Sequence, residues 1–308
     1  MKKRQLGKTG LEVSSISYGA APLGGAYGDV DTAELVRAVH CAIDLEINLF
    51  DTAPYYGITR SETVLGECLR GVPRHKYLLA SKVGRYDSAE FDFSAERVTR
   101  SVDESLKRLQ TDFVDIMTIH DIEFGSFQQI IEETIPTMRK MQAAGKVKFV
   151  GFSGLPLKIY PAILDHVATD TIITYCHHCL NDTSLVEMLP YLELKEVGVM
   201  NASPMAMGLL AGANPPDWHP APPELRAACT RAVEFCREQG KSLPQLALQY
   251  SISNPGIATT LVGMRTQREV EANSRWAGEA LDESLLKEVL TLLEPVHNMT
   301  WSSGGVGE

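Results

Sequence analysis

Nowhere in the 308 residues does an apolar run approach the ~18 residues that a membrane-spanning helix requires. Positive charge is thin as well. The formal net charge is −10, and the longest basic run is Lys2-Lys3-Arg4. Nucleic acids and anionic membranes need clustered positive charge, so neither is expected as a partner. The opening MKKRQLGKTG has no apolar core after its charges and does not read as a secretory signal. Cysteine is sparse, six residues scattered along the chain, which is no disulfide framework and points to a reducing cytoplasm. No shift of composition marks a linker, so residues 1–308 read as a single domain. No strand–turn–helix carries GxGxxG either. Gly19-Ala-Ala-Pro-Leu-Gly24-Gly25 lacks the pattern, which argues against a doubly wound dinucleotide-binding sheet.

What is present is an alternation. Lys3–Leu6 and Leu11–Val13 flank the turn Gly7-Lys-Thr-Gly10 and read as a hairpin. Ser14–Tyr18 is a strand that runs into small residues. Asp31-Thr-Ala-Glu34 has capping-box spacing, and Leu35, Val39 and Ile43 recur behind it, which predicts a helix over 32–46. Further apolar strands are expected at 47–50, 77–84, 113–120, 147–154, 171–177, 197–203 and 257–263. Helices are expected between them, at 61–70, after Ser94, at 127–144, at 158–167 and after Ser184-Leu-Val-Glu187. The loop Asn214 to Pro223 precedes helices at 224–239 and 243–253, and two more follow at 266–275 and 282–293. Eight apolar strands separated by helices fit a (β/α)8 TIM barrel with a short N-terminal β-hairpin and extra C-terminal helices.

The organising stretch is Ile47-Asn-Leu-Phe-Asp51-Thr-Ala-Pro-Tyr-Tyr56-Gly57. Alone it permits two readings. Asp51 caps a helix and Tyr56 packs beneath it, or both serve a site at the strand end. In a barrel the C-terminal strand ends share one mouth. Asp51 and Tyr56 would meet Lys82 from the next strand and His120 from the one after. A lysine in an apolar strand needs a partner, and Asp51 supplies one. The ammonium beside a phenol favours the phenolate and draws its pKa down from ~10. A histidine can donate a hydrogen bond to a substrate oxygen. Together these are the parts of a proton-transfer site.

Phe50-Asp-Thr-Ala-x-x-Tyr-Gly57, Ser81-Lys82 and Asp115-x4-His120 resemble the aldo-keto reductase superfamily, and the likeness runs from the N-terminal hairpin to Asn273. The resemblance implies that Tyr56 is the general acid/base, Lys82 and Asp51 tune it, and His120 positions the reacting oxygen. It also implies a nicotinamide cofactor held without a Rossmann domain. The residues it assigns to that cofactor are Gly19 and Ala20, then Ser153 and Tyr175, then Ser203, Pro204, Met205, Gly208 and Leu209. A final segment contributes Gly263, Met264, Arg265, Gln267, Glu269 and Asn273. Three positions depart from the common pattern. Ser-Asn is here Ser153-Gly154, a usual glutamine falls on Tyr175, and a stacking tyrosine is Ala202. Glu269 stands where NADP-specific relatives place arginine, which favours NAD, although Arg265 and Arg268 could grip a phosphate. The helix starting near Thr266 would offer free N–H groups to phosphate.

Within the superfamily, Gly84-Arg-Tyr86, His120-Asp-Ile-Glu-Phe124, Pro215-Pro-x-Trp-His-Pro220 and Asn298-Met-Thr-Trp-Ser302 resemble the aldose dehydrogenases. These oxidise C1 of a free sugar such as L-galactose or L-fucose to a lactone with NAD. Tyr86, Asp121, Phe124, Asp182 and Trp301 are the expected sugar contacts. The alternatives are an NADPH-dependent aldehyde or ketone reductase and a cofactor-sensing, non-catalytic subunit. A monomer or weak homodimer is expected. Cys176-His-His-Cys179 offers four potential zinc ligands in a row, but alternation along a strand leaves at most two on one side, so no metal site is expected. His177 or His178 would instead face the sugar.

Overall fold

The computed structural model describes residues 1–25, 28, 31–212, 215 and 217–305. Part of the expected loop Asn214 to Pro223 therefore lies outside the described residues. Strands β1 (Lys3–Gln5) and β2 (Glu12–Ser14) form the antiparallel hairpin. Eight parallel strands close a barrel: β3 (Ile16–Gly19), β4 (Leu49–Asp51), β5 (Leu78–Val83), β6 (Val114–Ile119), β7 (Val147–Ser153), β8 (Thr171–Tyr175), β9 (Gly198–Ala202) and β10 (Thr259–Gly263), with β10 pairing back to β3. Helices α1 (Thr32–Asp44), α2 (Arg60–Cys68) and α3 (Ala95–Leu109) cross over between the early strands.

The helix expected over 127–144 is realised in three pieces, Phe127–Gln129, a π turn Ile130–Thr134 and Ile135–Ala143, together α4. Pro136 explains the break, because it lacks the N–H that would continue the ladder. Then come α5 (Ile159–Leu164), α6 (Leu185–Leu194), α7 (Pro223–Glu238), α8 (Leu243–Ser253), α9 (Gln267–Gly278) and α10 (Glu283–Leu293). α7 and α10 pack on each other as the extra C-terminal pair, through Leu225, Ala228, Leu286 and Val289 among others.

Two expected capping boxes form differently. Asp31 makes no side-chain cap bond, and Glu34 instead accepts from Gln267 N at 2.8 Å and pairs with Arg37. Ser184 turns its hydroxyl to Asp182 Oδ1 at 2.5 Å rather than to its own helix. Ser94 does cap α3, accepting from Arg97 N at 3.3 Å, an interaction worth ~1 kcal/mol.

The hairpin closes one end of the barrel. Leu6 is fully buried and joins Leu49, Ala80, Ile116, Ile173, Met200 and Leu261 in the barrel interior. Gly7 (φ +52°) lies so close to β9 that a Cβ would come within 2.3 Å of Gly198 N. Arg4 Nη1 donates to the carbonyls of Asn254 (3.0 Å) and Ile257 (2.7 Å), and its Nη2 to that of Ile252 (2.7 Å). Among the described residues no helix is long and apolar enough to cross a membrane.

Candidate active site

Successive residues of a strand face opposite sides, so residues two apart share one. Leu49 and Asp51 share the inner face of β4, and Ala80 and Lys82 that of β5. Ile116 and Thr118 continue the same pattern on β6, and His120 follows just beyond the strand. Leu49, Ala80 and Ile116 make an apolar layer, and the polar groups stand above it. Lys82 Nζ donates to Asp51 Oδ2 at 2.6 Å and to the Thr52 carbonyl at 2.8 Å, with Lys82 2% exposed and Asp51 4%. Tyr56 lies on the turn after β4, and Lys82 Nζ sits 4.7 Å from the centroid of its ring. Its ring meets His120 edge-on at 5.8 Å. Gly57 (φ +63°) lets this turn pass against Gly24, where a Cβ would fall 2.2 Å from a carbonyl oxygen.

Burial raises the Asp51 carboxyl against the pull of Lys82. The charge of Asp51 in turn holds the buried Lys82 protonated, above its ordinary value. The expectation for Tyr56 is corrected in sign. Burial raises the phenol more than Lys82 lowers it, so the net direction is upward. His120 is pushed down to about 3 by burial and is therefore a neutral imidazole near pH 7.

The mouth holds a cavity of about 740 Å³. Asp51, Tyr56, Lys82 and His120 line it, as do Gly19, Ser153, Tyr175, Ser203 and Gly263. Asp121, Phe124 and Trp301 do so as well. Other expected positions lie elsewhere. Ala20, Pro204, Leu209 and Met264 are buried behind the wall, and the half-buried Met205 and Gly208 belong to the turn after β9. Arg265, Gln267, Glu269 and Asn273 lie beyond the cavity, on the loop after β10 and on α9.

Glu269 holds Arg265 twice, accepting from its backbone N at 2.6 Å and its Nη2 at 3.0 Å. The expected free N–H groups at the start of α9 are partly taken: Gln267 N donates to Glu34, and Glu269 N to Thr266 Oγ1.

Tyr86 does not face the sugar region. Its hydroxyl accepts from Gly84 N at 3.2 Å, and its ring lies 3.5 Å under the Arg97 guanidinium. Asp182 is also turned away, bound to Ser184 and 3.2 Å from His177 Nδ1. Neither adjacent histidine lines the cavity. His177 Nε2 is 2.7 Å from the Leu155 carbonyl oxygen, and His178 packs against Tyr250. The sequence reading missed Tyr55, Arg85 and Trp218, which do line it. It also missed Glu123, buried just behind. Arg85 and Tyr55 had a signal, since each is within three positions of an assigned residue on the same strand end.

The aldo/keto reductase family profile matches residues 15–294. The chain belongs to that family. It is 51% identical to the L-galactose dehydrogenase of Arabidopsis thaliana over 310 residues, covering 98% of this chain and 97% of that one. It is 31% identical to the D-arabinose 1-dehydrogenase of Saccharomyces cerevisiae over 275 residues, covering 84% and 81%. The holo form of an aldo-keto reductase from Bacillus halodurans superposes with a TM-score of 0.79 at 26% identity, covering 98% of each chain.

The geometry accounts for two of this chain's departures from the common aldo-keto reductase pattern. At Gly154 a Cβ would lie 2.2 Å from Ile159 Cδ1 and 2.4 Å from Glu123 Oε2, so the Glu123 carboxyl occupies the space of a side chain there. Glu123 Oε1 accepts from Leu155 N (3.0 Å) and from Ser303 Oγ (2.8 Å). Ala202 pairs in register with Tyr175, so a small residue on β9 sits beside a large ring on β8.

Proposed function

We propose that this aldo-keto reductase oxidises C1 of a free aldose, L-galactose foremost, to the aldonolactone, passing hydride to NAD. The observation that carries the substrate is the 51% identity to an L-galactose dehydrogenase across 98% of the chain. A nicotinamide dinucleotide fits the residues present. Gly19, Ala202 and Gly263 keep one wall free of bulk, and a Cβ at Gly19 would already press to 3.2 Å on Val262. Ser153 and Ser203 add hydroxyls, and Tyr175 a flat ring. When bound, the nicotinamide supplies the hydride acceptor.

The Tyr56 phenolate, stabilised by the Lys82 ammonium, accepts the proton of the anomeric hydroxyl and becomes the neutral phenol. The carboxylate of Asp51 keeps Lys82 charged. Neutral His120 donates to the same oxygen and so turns the single hydrogen on C1 toward the cofactor. NAD rather than NADP is supported by Glu269, which already engages Arg265 and places negative charge where a 2′-phosphate would need a cation.

Initial rates of NADH formation with L-galactose test the reading, with kcat/KM compared for both cofactors. Turnover with L-galactose and an NAD preference are expected. Turnover confined to aldehydes with NADPH would replace this reading with the reductase.

A further inference from the structure

An ion pair between a half-buried arginine and a buried carboxylate sits in the cavity wall beside the proton-transfer group and has no part in the chemistry so far. Arg85 Nη1 lies 2.5 Å from Asp121 Oδ2. Asp121 is 2% exposed and holds φ at +49°, a conformation uncommon for a residue with a side chain. Its own N–H donates to Ser153 Oγ at 3.1 Å, which pins it next to His120. Aromatic rings hold Arg85. Its guanidinium lies 3.8 Å over Tyr55, with the stacked Phe91 and Phe124 also within reach.

The desolvation of two such charges is offset only when their remaining donors and acceptors are used. Here they are not all used. Asp121 Oδ1 and Arg85 Nε have no hydrogen-bond partner among the described residues. One is an acceptor and the other a donor, and a hydroxyl is both. The position is also informative. Asp121 Oδ2 lies 3.6 Å from Nε2 of His120, the residue proposed to hold the reacting oxygen. That distance is on the scale of the gap between hydroxyls on neighbouring carbons.

We infer that the Arg85–Asp121 pair binds the hydroxyl on the carbon next to the one oxidised, C2 of an aldose. The inference rests on the aldose reading above and adds to it the feature of the substrate that is recognised. A carboxylate only accepts, so it takes the C2 O–H and repels the lone pairs of the ring oxygen on the other side of C1. The pair therefore selects 2-hydroxy substrates and sets which way round the ring lies. A site built to bind a hydroxyl rejects an analogue without it strongly, because its own polar groups are then left unpaired.

The test compares kcat/KM for L-galactose, its 2-deoxy analogue and its 6-deoxy analogue in the wild-type enzyme and in Asp121→Asn. In the wild type the 2-deoxy sugar is expected to fall by at least about 100-fold. The 6-deoxy sugar should fall by less than about 10-fold, the scale of one peripheral contact. In Asp121→Asn the parent sugar should lose most of its advantage while the 2-deoxy sugar changes little. A wild type indifferent to the C2 hydroxyl overturns the inference without any variant, even if Asp121→Asn fails to fold. Equal losses on both sugars in the variant also overturn it, making Asp121 a positioning residue for His120. If no aldose turns over, the comparison moves to NADH-dependent reduction of glycolaldehyde and acetaldehyde. A retained preference for glycolaldehyde supports the pair and sinks only the aldose reading, and no preference sinks the pair.

Discussion

Glu123 stands where a side chain on residue 154 would have to go. Its Oε2 lies 2.4 Å from the ideal Cβ position of Gly154, while Oε1 is held by Leu155 and Ser303. The glycine and the buried carboxyl are therefore one arrangement, and changing either disturbs the other.

Gly154→Asn should overpack this corner and lower stability by about 1–3 kcal/mol. Thermal unfolding measures it. Adding Glu123→Ala makes room, so the double variant should recover part of the loss. Unchanged melting of the single variant would show that the wall yields easily.

Lys82→Met strands the Asp51 carboxyl in the barrel interior. Breaking a buried pair in this way costs roughly 3–5 kcal/mol. Asp51→Asn combined with Lys82→Met should unfold at a higher urea concentration than Lys82→Met alone, and both should lack measurable turnover.

Proton uptake in the oxidative direction requires an ionised Tyr56, and burial holds this phenol above its ordinary value. kcat/KM for sugar oxidation should therefore rise with pH through the alkaline range. His120, lowered to about 3, should add no inflection near its ordinary 6.5. A break near 6.5 that disappears in a His120 variant would show that the imidazole titrates in the working enzyme.

Glu123 is raised from 4.5 to about 7 by burial and by the neighbouring Asp121. The folded state thus holds its proton more tightly than the unfolded chain. Its contribution to stability is complete below 4.5 and is lost as pH rises through about 7. Glu123→Gln removes this dependence. Relative to wild type it should gain melting temperature as pH climbs from 5 to 8. His120 has the opposite slope, because between about 3 and 6.5 the unfolded chain binds more protons. That slope is common to both proteins and cancels in the comparison. A constant difference in melting temperature across this range would contradict the shift at Glu123.

The barrel and its four polar residues were legible because each is encoded locally. An apolar run ending in Asp51, Lys82 or His120 announces both a strand and a strand-end side chain, and the topology carries all three to one mouth. The cavity wall was less legible because distant contacts place it. Arg85 is aimed by Asp121, 36 positions away, and Glu123 is engaged by Ser303, 180 positions away. Tyr86 and Asp182 were misplaced for a different reason. Each has a local partner, Gly84 and Ser184, that turns it from the mouth. The capping boxes show the limit set by distant contacts. Glu34 has the right spacing from Asp31, yet a backbone N–H 233 residues later claims it.

The grip of Arg4 on the carbonyls of Ile252, Asn254 and Ile257 bears on how the chain reaches this state. The start of the chain has its partners more than 240 residues downstream, and β3 waits for β10. During synthesis neither the hairpin plug nor the final seam of the barrel can form until the last strand has left the ribosome. Until then β3 keeps an open edge, so the growing protein is most prone to sticking late in translation rather than early.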